Sequence, residues 1–357
     1  MKAVTIGSAT IDVITIVDPE RIERMTLVNE DKSYLWLESG RKIPARSITS
    51  HVGGGACNTA VGLRRRGWEV ATLSKIGHDL NGAAVREHLE KEGVDQSRLS
   101  ETQDAATGVS SMIASHDRNA TIFVHRGANE KLCDDDIGAG FDGIDVVHIA
   151  PLSSGSAEFF PVFAKAAKAA GCFVSANPGI RQLTGRAQQV FEAFPNLDLI
   201  SVNRVEAEAM VPAFAPFAPP PGPVPSDAPH LMKRGLAFGG FEMCLTDFMK
   251  AVQDKGPTWV VITDGSRGAY LAGPDDIVWC PPAPTDVMGT AGAGDAFTGT
   301  LVAALAEGCD PAMALAQASV NASAVISVAD TTRGLLGRAD LEKRAEAFLA
   351  DSPQRHF

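Results

Sequence analysis

GTAGAGDAFT, Gly289 to Thr298, sets Asp295 at the mouth of a helix directly behind a Gly-Ala-Gly turn. From Ala296 to Glu307 the chain reads as helix, because Phe297, Leu301, Ala304 and Leu305 recur at helical spacing. Gly292 and Gly294 carry no Cβ, so their amides can approach a ligand closely. Unpaired N–H groups at a helix start hold anions. An Asp beside such a cradle can take a proton from a hydroxyl while the amides hold a phosphate in transfer. The plainer alternative is a glycine-rich turn in which Asp295 is only the helix cap.

Outward from this stretch, apolar strands alternate with helices. Met1–Gly7, Trp68–Ile76, Ile144–Ala150, Cys172–Ala176, Leu197–Ser201 and Thr258–Thr263 read as strands. Ala56–Arg66, Asp79–Glu92, Ser156–Ala170 and Ala312–Ala329 read as helices. This alternation predicts an α/β fold, a three-layer α/β/α sandwich around a mostly parallel central sheet. Ligands in such folds sit outside the carboxyl ends of the strands.

Two regions break the pattern. Residues 12–50 and 107–127 hold strand-like pieces (Asp12–Val17, Ile43–Thr49, Gly108–Ala114, Ala120–Val124) without crossover helices. They predict a small separate β-sheet whose apolar face needs cover, as a lid over substrate or as a dimer contact. Within it, 19–40 reads as a charged, helical insert. The core is then 1–11, 51–106 and 128–357, with a Pro-rich insertion at 212–240; the eight prolines from Pro212 to Pro229 argue against helix or central strand there.

The chain has 357 residues and a net charge of −11. That balance argues against nucleic acid or an anionic membrane as the main partner. Six scattered cysteines show neither zinc spacing nor a disulfide framework. No apolar run reaches transmembrane length and the start lacks a signal-peptide layout, so a cytoplasmic location is expected. Walker A, GxSxG and HExxH sequences are absent, as is a dinucleotide fingerprint after the first strand.

Four further features accompany Asp295. Gly53-Gly54-Gly55-Ala-Cys-Asn58 lets the backbone close on a polar ligand, with Asn58 offering donor and acceptor. Gly77-His-Asp79-Leu-Asn-Gly82 reads as a strand-to-helix turn capped by Asp79. Asn203-Arg-Val-Glu206 either holds water around Mg²⁺ or forms a capping box. Thr263-Asp-Gly265-Ser-Arg-Gly268 either binds nucleotide phosphates or is only a hairpin.

Together these residues resemble the two signatures of the ribokinase (PfkB) family of carbohydrate and nucleoside kinases. Gly53-Gly54-x-x-x-Asn58 with Gly67 and Gly77 is similar to the first, and GTAGAGDAF to the second. The resemblance runs in order along essentially the whole chain, the Pro-rich insertion aside. It implies a ribokinase-like fold with ATP and Mg²⁺ as cofactors. Asp295 would be the general base, and the amides of Gly292, Ala293 and Gly294 the anion hole for the γ-phosphoryl group. Asp12, Gly53, Gly54 and Asn58 would bind sugar hydroxyls. Asn203 and Glu206 would organise Mg²⁺ and phosphate, Glu206 through water. Thr263, Gly265, Gly268 and Asn321 would lie along the ATP site, and the small sheet would be the lid and homodimer contact.

There are departures from the family pattern. Gly289 and Ala291 replace an Asp and a Thr that serve a monovalent-cation site in many members, which puts potassium activation in question. Asn177-Pro-Gly-Ile-Arg181 stands for an Asp-Pro-Asn-x-Arg segment, with only the Pro and Arg kept. Arg126 is either a substrate fork or a solvated charge. A sugar acceptor fits GGGACN. A nucleoside fits the long 19–40 insert, with Phe123 or Trp36 as base platform. A catalytically weak sugar or nucleotide sensor is the remaining reading.

Overall fold

Strands whose two faces are both apolar must be covered on both sides, and the central strands here are of that kind: Val4, Ile6, Val146, Val147, Ile149, Val260, Val261 and Ile262 are fully buried. The computed structural model describes residues 1–18, 23–26, 33–36, 40, 42–114, 120–215, 226–328, 330–352 and 354–357. Across the ten-stranded main sheet the order is β18 (Arg355–His356), β17 (Ile277–Cys280), β16 (Ala269–Ala272), β15 (Trp259–Thr263), β12 (Leu199–Asn203), β11 (Phe173–Ala176), β10 (Val146–Ile149), β1 (Lys2–Ile6), β6 (Glu69–Gly77) and β7 (Leu99–Thr102). From β15 to β7 every pairing is parallel; β16, β17 and β18 add antiparallel strands at one edge.

Helices cover both faces. On one lie α3 (Phe160–Ala169), α4 (Ile180–Gly185), α5 (Ala187–Ala193), α6 (Arg204–Phe214), α7 (His230–Arg234) and α8 (Leu245–Gln253), which bury Phe160, Phe163, Leu231 and Phe248 in one cluster. On the other lie α1 (Gly55–Arg65), α2 (Leu80–Lys91), α9 (Ala293–Ala306), α10 (Pro311–Ile326) and α11 (Arg338–Asp351), around Val61, Leu89, Leu301 and Leu315. This is the expected three-layer sandwich. α9 is buried along most of its length, as a helix apolar on all sides must be.

The small separate sheet is also present, in the order β5 (Ala45–Gly53), β2 (Thr10–Val17), β8 (Gly108–Ala114), β9 (Ala120–His125). β2 pairs antiparallel with β5 and parallel with β8, and β8 antiparallel with β9.

Two expectations are corrected. The insert at 19–40 is not helical where it is described: β3 (Glu23–Thr26) and β4 (Ser33–Trp36) pair as an antiparallel hairpin. Its charges suggested a solvated helix, but Thr26, Tyr34 and Trp36 are strand formers. The Trp36 side chain lies outside the described residues. The second correction is that Pro212 lies inside α6, which continues to Phe214. Near a helix end the missing N–H costs a single bond, and Val211 and Phe214 are buried in return. Residues 216–225 lie outside the description. Beyond them Ala228 and Leu231 pack into the core, and β13 (Leu236–Phe238) pairs with β14 (Phe241–Met243), burying Leu236 and Met243.

Candidate active site

Parallel pairing brings the carboxyl ends of β1, β10, β11, β12 and β15 to one side of the sheet, and the loops that follow them build the site. After β1 the chain turns through Ser8. Its carbonyl accepts from Ala56 N at 3.2 Å and its Oγ from Gly55 N at 3.2 Å, fixing the start of α1. One turn into α1, Asn58 Nδ2 donates to Asp295 Oδ2 at 2.7 Å. The other end of that amide, Asn58 Oδ1, is buried with no hydrogen-bond partner among the described residues. An acceptor left in that state is costly unless a ligand donor meets it.

Asp295 lies in the first turn of α9, whose cap is Gly292 at φ 78°. That left-handed conformation suits glycine, and a Cβ there would sit 2.6 Å from the Thr331 carbonyl oxygen. Further along, Thr298 Oγ1 and Ser201 Oγ are 2.8 Å apart, which joins α9 to β12. Burial pushes the Asp295 carboxyl up; the Asn58 hydrogen bond opposes this and the charge of Asp12 adds to it. Under the site, burial and the charges of Asp12 and Asp295 push the Cys57 thiol up to about 12, which leaves it un-ionised and inert.

Asp12 comes from β2. Its Oδ1 accepts from Ser110 Oγ at 2.5 Å and from Thr10 Oγ1 at 3.2 Å. A Cβ at Gly53 would fall 2.0 Å from Asp12 Oδ2, so the glycine is what lets β5 pass that carboxylate. Gly54 carries the turn into α1 at φ 97°. Asp12, Gly53, Asn58 and Asp295 are therefore brought together.

A second group surrounds a neighbouring cleft of about 500 Å³, lined by Asn203, Glu206, Thr263, Gly265 and Arg267 among others. The capping box is real: Glu206 N donates to Asn203 Oδ1 at 3.0 Å, and Asn203 N to Glu206 Oε2 at 2.9 Å. Burial raises the Glu206 carboxyl, against hydrogen bonds from the N–H groups of Asn203 and Ile180. Thr263 and Gly265 stand at the turn between β15 and β16; nothing lies within 4 Å of a Cβ built on Gly265. Gly268 faces away, its Cβ direction blocked by the Cys280 carbonyl at 2.1 Å.

Asn321 lies within α10. It is 3% exposed, its Nδ2 donates to Thr300 Oγ1 at 2.8 Å, and its Oδ1 accepts from Leu336 N at 2.9 Å. Both ends of the amide brace α10 against its neighbours. Arg126 is half-buried where β9 ends. Burial and the nearby Arg181 guanidinium both lower its pKa. Phe123 lies on the opposite face of the small sheet from Asp12, since Asp12 pairs with Ser110 and Ser110 with Val124. Ser110, Thr10 and Thr331 went unremarked in the sequence; only strand register brings Ser110 beside Asp12. Among the described residues no three His, Cys, Asp or Glu side chains cluster as metal ligands, and no helix is long and apolar enough to cross a membrane.

Comparison with known proteins bears on the family and the fold. The pfkB family carbohydrate kinase profile matches residues 2–336. The bifunctional ribokinase/ribose-5-phosphate isomerase A of Fructilactobacillus sanfranciscensis is 28% identical over 260 residues, covering 72% of this chain and 42% of that protein. The fructokinase of Klebsiella pneumoniae is 28% identical over 260 residues, 71% of this chain and 76% of its own length. Among solved structures, the Methanocaldococcus jannaschii nucleoside kinase superposes with a TM-score of 0.74 at 21% identity, covering 97% of this chain and 99% of that one. That likeness is one of fold.

Proposed function

The chain belongs to the pfkB family of carbohydrate kinases, and from that premise we propose that it transfers the γ-phosphoryl group of ATP to a hydroxymethyl group of a sugar. The observation that carries the proposal is the Asn58–Asp295 pair, standing beside Asp12 at the glycine-rich start of α9. Asp12 and the unpartnered Asn58 Oδ1 hold acceptor hydroxyls. The acceptor oxygen attacks the γ-phosphorus and its proton passes to Asp295. The bond from the γ-phosphorus to the β-phosphate oxygen breaks, and ADP leaves with that electron pair. Amides of Gly292, Ala293 and Gly294 stabilise the charge on the transferring group. A raised carboxyl makes Asp295 a stronger base than a free aspartate.

The nucleotide occupies the cleft beside Asn203, Thr263 and Gly265. Mg²⁺, when bound, neutralises phosphate charge; Glu206 would hold it through water, which suits an ion that keeps most of its waters. Gly289 and Ala291 offer no side-chain oxygen, so a monovalent cation is not part of the proposal. The small sheet serves as a lid and, through exposed Ile48 and Phe123 on the face away from Asp12, as a homodimer contact.

A nucleoside acceptor is the second reading. It is favoured by Ile14, Met112 and Ile122, which pair in register on the Asp12 face of the small sheet and offer an apolar seat for a base. ADP release across a panel of sugars and nucleosides tests both, with Asp295→Asn as the control. That variant should lose about 10²–10⁴-fold in turnover. Full turnover by Asp295→Asn would remove the base assignment, and a response to nucleosides alone would favour the second reading.

A further inference from the structure

His51 of β5 pairs directly with Asp12 of β2, and opposite residues of an antiparallel pair share one face of the sheet. It is therefore a neighbour of the carboxylate proposed to hold the acceptor. Its Nδ1 lies 2.8 Å from Oδ2 of Asp330, in the loop between α10 and α11. The next residue on each side repeats the contact, Thr331 Oγ1 donating to the Val52 carbonyl at 3.4 Å.

The loop that receives these contacts is itself anchored. Asp330 Oδ1 accepts from the N–H groups of Thr332 and Arg333 at 2.8 Å each. Arg65 of α1 donates to the Thr332 and Leu335 carbonyls at 2.8 and 3.1 Å, and Leu336 N donates to Asn321 Oδ1 at 2.9 Å. Burial would raise the Asp330 carboxyl, but the Thr332 and Arg333 amides and His51 hold it below the usual carboxylate range. It faces His51 as an anion. Thr331 is also the residue against which Gly292 is packed: a Cβ on Gly292 would fall 2.6 Å from the Thr331 carbonyl oxygen and 2.9 Å from its Cα. One short stretch thus touches both the lid strand opposite Asp12 and the turn that opens α9.

We propose that His51 and Asp330 are positioning residues for phosphoryl transfer; this rests on the kinase reading above. The pair holds β5 in register with the loop behind Gly292. That register sets the separation between an acceptor hydroxyl on Asp12 and a phosphate on the α9 amides. A misplacement of about 1 Å between reacting groups costs about 100-fold in rate, so one contact across this seam has leverage on turnover. Binding is less exposed to it, because the acceptor moves with Asp12 on the small sheet and the nucleotide has its own cleft beside Asn203.

His51→Ala should lower kcat about 10–100-fold and change the KM for acceptor and for ATP by less than about threefold. Asp330→Asn keeps an oxygen for the Thr332 and Arg333 amides but loses the charge facing His51, and should lower kcat about tenfold. The double variant should be no worse than His51→Ala, because the two side chains act as one unit. His51→Asn, whose amide nitrogen takes the place of Nδ1, should regain most of the lost kcat. A kcat within about twofold of wild type in His51→Ala overturns the proposal. So does a loss confined to the acceptor KM, which would make His51 an acceptor-binding residue, or losses that multiply in the double variant. Each of these leaves the kinase reading intact. If no acceptor yields ADP, the kinase reading fails, and amide hydrogen exchange of the ligand-free protein tests the pair by itself. Exchange in Ala45–Gly53 should quicken about tenfold in both single variants and no further in the double. Unchanged exchange overturns the tie between strand and loop.

Discussion

Asn58 and Asp295, far apart in sequence, share a 2.7 Å hydrogen bond that joins the first turn of α1 to the first turn of α9. Both helices begin at glycine-rich loops, so one contact registers the loop before α1 against the loop before α9.

With Asp295 as the proposed base, that contact should set the acid limb of the reaction. Burial and Asp12 raise the Asp295 carboxyl and the Asn58 amide opposes them. Asn58→Leu removes the opposition and raises the carboxyl further. A base must be ionised to work, so the acid limb of the kcat/KM profile should move to higher pH in the variant. An unmoved limb with lower plateau activity would assign Asn58 to acceptor binding alone.

Gly292→Ala should lower turnover and stability together. The new Cβ would meet the Thr331 carbonyl in a left-handed conformation that alanine resists. A cost of about 1–2 kcal/mol follows from the backbone strain, more if Thr331 cannot shift. Urea unfolding checks the first effect and ADP release the second.

Gly53→Ala puts a methyl group against Asp12 Oδ2. The acceptor KM should rise by about tenfold or more, with little change in the KM for ATP, because only acceptor hydroxyls are expected at that carboxylate. Equal rises in both constants would place Asp12 elsewhere in the cycle.

Away from the site, Glu307 supports the packing of α9 against α1. It accepts from Trp68 Nε1 and Arg66 at 2.7 Å each and from Arg338. Against the burial that would raise it, these bonds bring its carboxyl from 4.5 down to about 2. A carboxyl lowered by folding stabilises the fold above its unfolded value, and this contribution fades as pH falls from about 4.5 towards 2. Glu307→Gln should cost about 2–3 kcal/mol in urea unfolding at pH 7 and much less at pH 3.

Much of this was legible in the sequence where local physics decides. The central strands are apolar on both faces and the helices keep a clear period, so the layered fold could be read. The helix starts at Asn58 and Asp295 could be read because glycine-rich turns precede them, and the structure adds the contact between the two side chains. Ser110 could not be found this way, since its place beside Asp12 depends on the register between β2 and β8. The partners of Asn321 could not be read either, because a buried amide that braces α10 has the same identity as one that meets a ligand. Pro212 was misread because propensity has no knowledge of the burial of Val211 and Phe214. In the hairpin of β3 and β4 the charged residues outweighed the strand formers in the reading, though not in the fold.

The small sheet draws its strands from three separate stretches, Thr10–Val17, Ala45–Gly53 and Gly108–His125, and β5 passes into α1 with only Gly54 between them. It is therefore not a cassette. It cannot be excised or exchanged for a relative's without cutting the chain at the residues that set Asp12 and Asn58. Point substitution inside the sheet leaves those junctions whole, and near Asp12 it acts on a charge that Asp295 feels.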